Sequence, residues 1–334
     1  MKRTLRTFLI VCLSMALVLS FSLYPVAADT TSATENALTE TETHIIWHYN
    51  YETGESRYET VEINQDLYAM AAQTVQTRPA YCPPNLINDL GSSVATRGVP
   101  SDQSTVRAHS YPYCAAGNVE FVADTNNNGE FDEDWGGGTA FLVAEDIILT
   151  AAHCVFHEEG TAVNAYFYPA QQSSSDSYRE IYKSRIKGFA FSVDYIGSQE
   201  PNQDWAICQI ANNRGDTFGW FGLSSSAGVY TGLSLTALGY PGDLGGSQSV
   251  IEGCPYKSTG TVNSILSTMR FKATNYVQQG YSGGPMYDSD GLVYGIISRE
   301  LTTNGITNTI AMQFPTWLFN EIIEHCDASE ARWS

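Results

Sequence analysis

From Tyr111 onward, apolar residues come in short runs broken by turn formers, and that rhythm limits the fold more than any other feature of the chain. The runs are Asn118 to Ala123, Thr139 to Val143, Ile147 to Leu149, Val163 to Tyr168, Trp205 to Ile210, Leu233 to Leu238, Gly260 to Ile265 and Leu292 to Ile297. Such spacing predicts an all-β fold, a sandwich or barrels. The composition agrees: 28 Gly, 20 Tyr and only 16% charged residues disfavour a helical bundle or coiled coil. At 43% hydrophobic and 12% aromatic, 334 residues can bury a sizeable core, as one large β domain or two ordinary ones. The clearest helix is terminal, where Pro315-Thr316-Trp317 opens a run through Leu318, Ile322 and Ile323 to His325, with Thr316 as the expected cap.

The first residues read differently. Met1-Lys2-Arg3-Thr4-Leu5-Arg6, an apolar run from Phe8 to Leu23, and Val26-Ala27-Ala28 form the charged, apolar and small-residue zones of a secretory signal over residues 1–28. Cleavage after Ala28 is expected; the run is short for an uncleaved anchor. Losing Lys2, Arg3 and Arg6 with this leader takes the net charge from −19 to −22. A chain so acidic is a poor reader of phosphate backbones, so nucleic acid is not an expected partner. No later stretch is long and apolar enough to span a bilayer, so no membrane is expected after signal removal.

Residues 29–97 are acidic and rich in Thr and Glu, with alternation at Tyr58-Glu59-Thr60-Val61-Glu62-Ile63 that suits one or two exposed strands and little core. The chain then turns small and flexible at Gly91-Ser92-Ser93 and Ala95-Thr96-Arg97-Gly98, with Arg97 suited to nicking. Residues 29–97 therefore read as a pro-segment and residues 98–334 as the principal domain. Cys12 leaves with the signal; Cys82, Cys114, Cys154, Cys208, Cys254 and Cys326 remain, and an oxidising compartment favours some pairing. None has the CxxC spacing of a metal site, so zinc is not suggested. Cys208, on an apolar strand, reads as a buried free thiol.

Three segments carry chemistry: Leu149-Thr150-Ala151-Ala152-His153-Cys154, Gln203-Asp204-Trp205-Ala206-Ile207 and Gly280-Tyr281-Ser282-Gly283-Gly284-Pro285. A serine hydroxyl needs an imidazole to take its proton, and the imidazole needs a carboxylate to fix its tautomer. Ser282, His153 and Asp204 fit those roles. The glycines let backbone approach a substrate, and the amides of Gly280 and Ser282 fit an oxyanion hole. The GxSxG pattern also fits the nucleophile turn of α/β-hydrolases, but that fold needs its acid and histidine after the serine, which leaves only His325.

In their order and motifs, TAAHC and GxSGGP, these segments resemble the chymotrypsin-like serine proteases, and the glutamyl endopeptidase branch in particular. Gly138-Thr139-Ala140-Phe141-Leu142-Val143, Asp204-Trp205-Ala206, Gly239-Tyr240-Pro241-Gly242-Asp243 and Lys257-Ser258-Thr259-Gly260 add to the resemblance. It implies two packed antiparallel six-stranded β-barrels with a C-terminal helix and the active site in the crevice between them. It also implies a secreted, monomeric endopeptidase acting on proteins or peptides through an acyl-enzyme, with no cofactor required. The rival reading is a secreted pseudoprotease serving as a binding module; no substituted triad position favours it.

The chain also departs from the family. Many relatives place aspartate before the nucleophile to receive a freed N-terminus, where this chain has Tyr281. The histidine of the glutamyl pocket is replaced by Ile297, which puts glutamate specificity in question; Arg299 reads either as a cation that favours an acidic residue or as a solvated charge at a strand end. Tyr276 and Val277 are expected at the pocket floor, and neither is the aspartate that selects Lys or Arg. The disulfide partner of Cys154 falls on Gly138, so that bridge cannot form. The resemblance instead suggests a Cys114–Cys254 bridge, with Cys82 left to Cys326 or Cys154. Finally, the segment Asp124 to Asp132 follows the first nine positions of a calcium loop, with Asp124, Asn126, Asn128 and Asp132 as oxygen ligands, but Trp135 occupies the twelfth. A calcium site and an acidic hairpin turn are the two readings of it.

Overall fold

The computed structural model describes residues 41–64, 74–90, 104–123, 134–157, 160–173, 175, 177–198, 201–242, 253–303 and 305–334, all within one compact unit, Thr39–Ser334. The leader, the Arg97-Gly98 junction and the Asp124 to Asp132 segment lie outside these residues. A hairpin of β1 (Thr41–Asn50) and β2 (Ser56–Asn64) comes first. Six strands follow: β3 (Ala116–Ala123), β4 (Asp134–Leu142), β5 (Ile147–Thr150), β6 (Gly160–Pro169), β7 (Ser184–Ser192) and β8 (Ala206–Ile210). They pair in the order β7-β8-β5-β4-β3-β6, and β6 returns to β7 at Phe167 opposite Ser184. That closes a six-stranded antiparallel barrel.

The second barrel comprises β9 (Ser234–Gly239), β10 (Tyr256–Ser267), β11 (Arg270–Ala273), β12 (Pro285–Tyr287), β13 (Leu292–Thr303) and β14 (Ile306–Met312). Its order is β12-β9-β10-β11-β14-β13, closed by β12 against β13. Closure pairs most strand edges within each barrel. Phe141, Phe167, Phe191 and Trp205 fill the first core; Tyr256, Phe271, Tyr281 and Met286 fill the second. The expected double barrel is thus observed, and all eight apolar runs named above fall wholly or almost wholly in strands.

The segment before the barrels is more than an appendage. Strand β7 spends only Ser184 and Arg185 on closing the barrel; from Gly188 to Ser192 the same edge pairs with β1. Ile46 and Ile63 are buried in the first core, and Trp47 meets Phe189 and Phe191 edge-on. Further along, Thr77–Arg78 pairs with Gly222–Ser224, and Tyr81 bridges to Trp220. Alternation of a few residues understates this burial, because the apolar partners of β1 come from β7, far away in sequence.

The C-terminal helix runs Thr316–Trp333, longer than expected at its far end. Its N-cap is Pro315, which offers no side-chain bond, so Thr316 is the first helical residue rather than the cap. The extra turns are held by the first barrel: Ser329 Oγ accepts from the Asp146 amide, and Arg332 pairs with Asp146 at 2.7 Å.

None of the six cysteines within the described residues forms a disulfide. The Cys114–Cys254 bridge fails because the two sulfurs serve different cores. Cys114 packs in the first and points at the Phe218 carbonyl, 3.2 Å away; Cys254 packs in the second, with Gln172 Nε2 at 3.2 Å. Cys326 is buried on the helix against the Val143 carbonyl, Cys154 faces the Ser282 carbonyl, and Cys82 is bonded to neither. Cys208 is a buried thiol in β8.

Candidate active site

Each of the three motif residues stands at the end of a strand and faces the crevice between the barrels. His153 follows β5 on the single turn Ala152–Cys154, and Asp204 immediately precedes β8. Because β5 and β8 are neighbours, the two side chains meet across 51 positions of sequence: His153 Nδ1 lies 2.9 Å from Asp204 Oδ2, and the His153 amide donates to Asp204 Oδ1 at 3.1 Å. Ser282 comes from the second barrel, in the turn before β12. Gly280 and Gly283 flank it with φ of +98° and +84°, a region only glycine enters freely. A side chain on either would collide with backbone, the Tyr240 carbonyl at Gly280 and the Thr139 carbonyl at Gly283.

The turn is tied to the first barrel. Thr139 donates its amide to the Ser282 carbonyl at 2.7 Å and its hydroxyl to the Gly280 carbonyl at 2.7 Å. Thr150 in turn holds the Thr139 carbonyl at 2.8 Å. The amides of Tyr281, Gly283 and Gly284 are taken by backbone carbonyls, whereas those of Gly280 and Ser282 find none among the described residues.

Asp204 is almost wholly buried. Burial pushes its carboxyl up, but the His153 imidazole and the Ser298 hydroxyl, donating at 2.5 Å to Oδ2, outweigh that and hold it below the usual range. For His153, burial pulls the imidazole down, and the neighbouring Cys154 sulfur and Asp204 carboxylate overcome it, leaving the ring well above its ordinary 6.5. With Nδ1 committed to Asp204, Nε2 is the nitrogen left for the cavity. The Ser282 hydroxyl rests on the Ser298 carbonyl at 3.3 Å. A cavity of about 300 Å³, lined by His153, Tyr195, Pro201, Ser282 and Arg299, opens beside it.

The specificity residues divide. Arg299 reaches this cavity; Ile297 and Val277 are sunk in the second core, and Tyr276 is half-buried with its amide bonded to the Ser258 hydroxyl. Tyr281 is fully buried against Gly239, whose missing side chain makes room for the ring. Gly138 does stand opposite Cys154, where a β-carbon would come within 2.6 Å of the sulfur. The roles of Ser298 and Thr139 were not read from the sequence, because their contacts with Asp204 and the nucleophile turn run across the crevice; Tyr195, in the short helix Val193–Ser198, lines the cavity without a motif to mark it.

Comparison with known proteins agrees with this geometry. Residues 138–296 match the family described as trypsin-like peptidase domain. The chain is 22% identical over 252 residues to a protein named glutamyl endopeptidase from Bacillus licheniformis, covering 74% of this chain and 70% of that one. It is 25% identical over 183 residues to an extracellular metalloprotease of Bacillus subtilis, covering 52% of this chain and 57% of that one. Among solved structures, a Glu endopeptidase in complex with MPD superposes with a TM-score of 0.55 at 22% identity, covering 68% of this chain and 97% of its own. The protease Anisep from Arthrobacter nicotinovorans gives 0.52 at 18%, covering 68% and 100%. The match to the trypsin-like peptidase family covers residues 138–296, just under half of the chain, and together with the serine protease relatives it supports a hydrolase of the serine endopeptidase class.

Proposed function

We propose that the protein is a secreted endopeptidase that cleaves peptide bonds through Ser282, His153 and Asp204. The observation that carries this reading is the His153 to Asp204 contact at 2.9 Å opening onto the same cavity as Ser282. For attack, the Ser282 hydroxyl leaves the Ser298 carbonyl and turns to Nε2 of His153 across the cavity both line. His153 takes the proton as Ser282 Oγ bonds to the carbonyl carbon, and the Gly280 and Ser282 amides receive the oxyanion. Collapse returns the proton to the leaving amine and leaves an acyl-enzyme, which water hydrolyses by the same route. Asp204 fixes the ring and stabilises its cation, and Ser298 fixes Asp204. No cofactor enters these steps.

Arg299 gives the cleft a cation in a chain of net charge −19, which supports preference for an acidic residue near the scissile bond. Export is supported by the leader pattern at residues 1–28 and by the extracellular relative, and processing near Arg97 by the small, flexible sequence there. Burst kinetics with an activated ester tests the chemistry: Ser282→Ala is expected to lose the burst while unfolding at the wild-type temperature, and a retained burst contradicts the assignment. Profiling a mixed peptide library tests the specificity. Arg299→Ala is expected to lose roughly 10- to 100-fold of the discrimination for acidic residues, the worth of one charged hydrogen bond.

A further inference from the structure

Away from the cleft, groups with metal-binding chemistry gather where the first strand of the fold meets the last helix. His48 lies on β1, Glu321 and His325 on the C-terminal helix, and one ligand atom of each lies within 4.8 Å of the others. Glu321 and His325 are four positions apart, hence on one helical face, with Oε1 and Nε2 3.3 Å apart. The His48 and His325 rings stack with centroids 5.8 Å apart. Nε2 of His48 is buried and makes no hydrogen bond of good geometry among the described residues, although the Glu59 carboxylate on β2 comes within 3.2 Å. None of these groups takes part in the chemistry of the crevice.

The Glu321 carboxylate is buried, 7% exposed, with the His325 imidazole beside it. Two imidazoles with a carboxylate are a zinc-type donor set; calcium and magnesium take oxygen alone. Four ligands at about 2.0–2.1 Å around tetrahedral zinc stand roughly 3.4 Å apart. The Glu321 to His325 separation already matches, and the widest gap among His48, Glu321 and His325 closes by a side-chain shift of about 1.5 Å. We propose that His48, Glu321 and His325, with water in the fourth position, form a structural zinc site that fastens the N-terminal hairpin to the C-terminal helix. A neighbouring cavity of about 560 Å³, lined by His48, Arg57 and His325, gives the ion a path in.

Arg57 is the competitor. Its guanidinium pairs with Glu59 and lies 3.3 Å from Nδ1 of His48. Zinc on Nε2 places the ring proton on Nδ1, which a guanidinium, a donor only, cannot accept. Arg57 is 61% exposed and swings aside at little cost, leaving its place to the metal.

The test is zinc binding by the full chain, measured by equilibrium dialysis with metal analysis and by thermal unfolding. One zinc per chain is expected, with a melting temperature that rises with zinc. Glu321→Gln and His325→Gln should each weaken binding on the order of 100-fold and abolish that rise, whereas Arg57→Ala should tighten binding. Because His325→Gln can perturb the helix, the visible spectrum of the cobalt-loaded wild type gives an independent reading, intense and tetrahedral if the site is real. Absence of zinc from the wild type at micromolar concentration, equal binding by the two ligand variants, or a weak octahedral cobalt spectrum overturns the proposal.

Discussion

The imidazole of His153 is gripped on one side and free on the other, and that asymmetry has a measurable consequence. A general base works only when neutral, so a ring held above 6.5 moves the acid limb of the kcat/KM profile to higher pH than an ordinary histidine would give. Asp204→Asn should shift that limb down and reduce turnover by about 10³- to 10⁴-fold, because the ring is then held in the wrong tautomer. Ser298→Ala removes one charged hydrogen bond from the acid and should lower kcat by roughly 10- to 100-fold with little change in KM. Steady-state kinetics across pH on the three proteins checks all of this. The reacting residues were legible in the sequence because each sits in a local motif; Ser298 was not, since it meets Asp204 across 94 positions.

At the scale of elements, the hairpin and the terminal helix are the parts that sequence periodicity under-reads. Strand β7 escaped notice because Arg185, Lys187 and Gly188 interrupt its apolar pattern, yet it binds β8 on one edge and shares the other between β6 and β1. Ile46, fully buried beneath that junction, should cost about 2–5 kcal/mol on truncation to alanine, read by denaturant unfolding. The helix end is held electrostatically. Burial pushes the Asp146 carboxyl up, but bonds from Arg332, Ser329 and Gln209 outweigh it and bring it below its ordinary 3.8. A lowered carboxyl stabilises the fold above its ordinary value and loses that contribution as pH falls through the folded one. Arg332→Ala should therefore cost about 1–2 kcal/mol at neutral pH, and the difference from wild type should shrink below pH 3.8.

For the molecule as a whole, the short apolar runs pointed to a sandwich or barrels and the family resemblance to two packed barrels, while the bonds that tie the two together were not legible. Thr139 joins them through side-chain and amide bonds to the nucleophile turn, and residues 41–64 and 74–90 reach both, pairing with β7 in one barrel and with Gly222–Ser224 beside the other. If export is followed by cleavage near Arg97, that buried surface should keep the N-terminal piece attached. N-terminal sequencing of active, natively purified protein should then give two sequences, one beginning near Gly98, and denaturant should be needed to separate them. The central claim, that Ser282 is an activated nucleophile, is tested most directly by mass spectrometry after treatment with a serine-reactive phosphonate. A single adduct on Ser282 in the wild type and none in Ser282→Ala is the predicted result; a folded wild type that stays unlabelled, or a variant labelled as well as the parent, contradicts it.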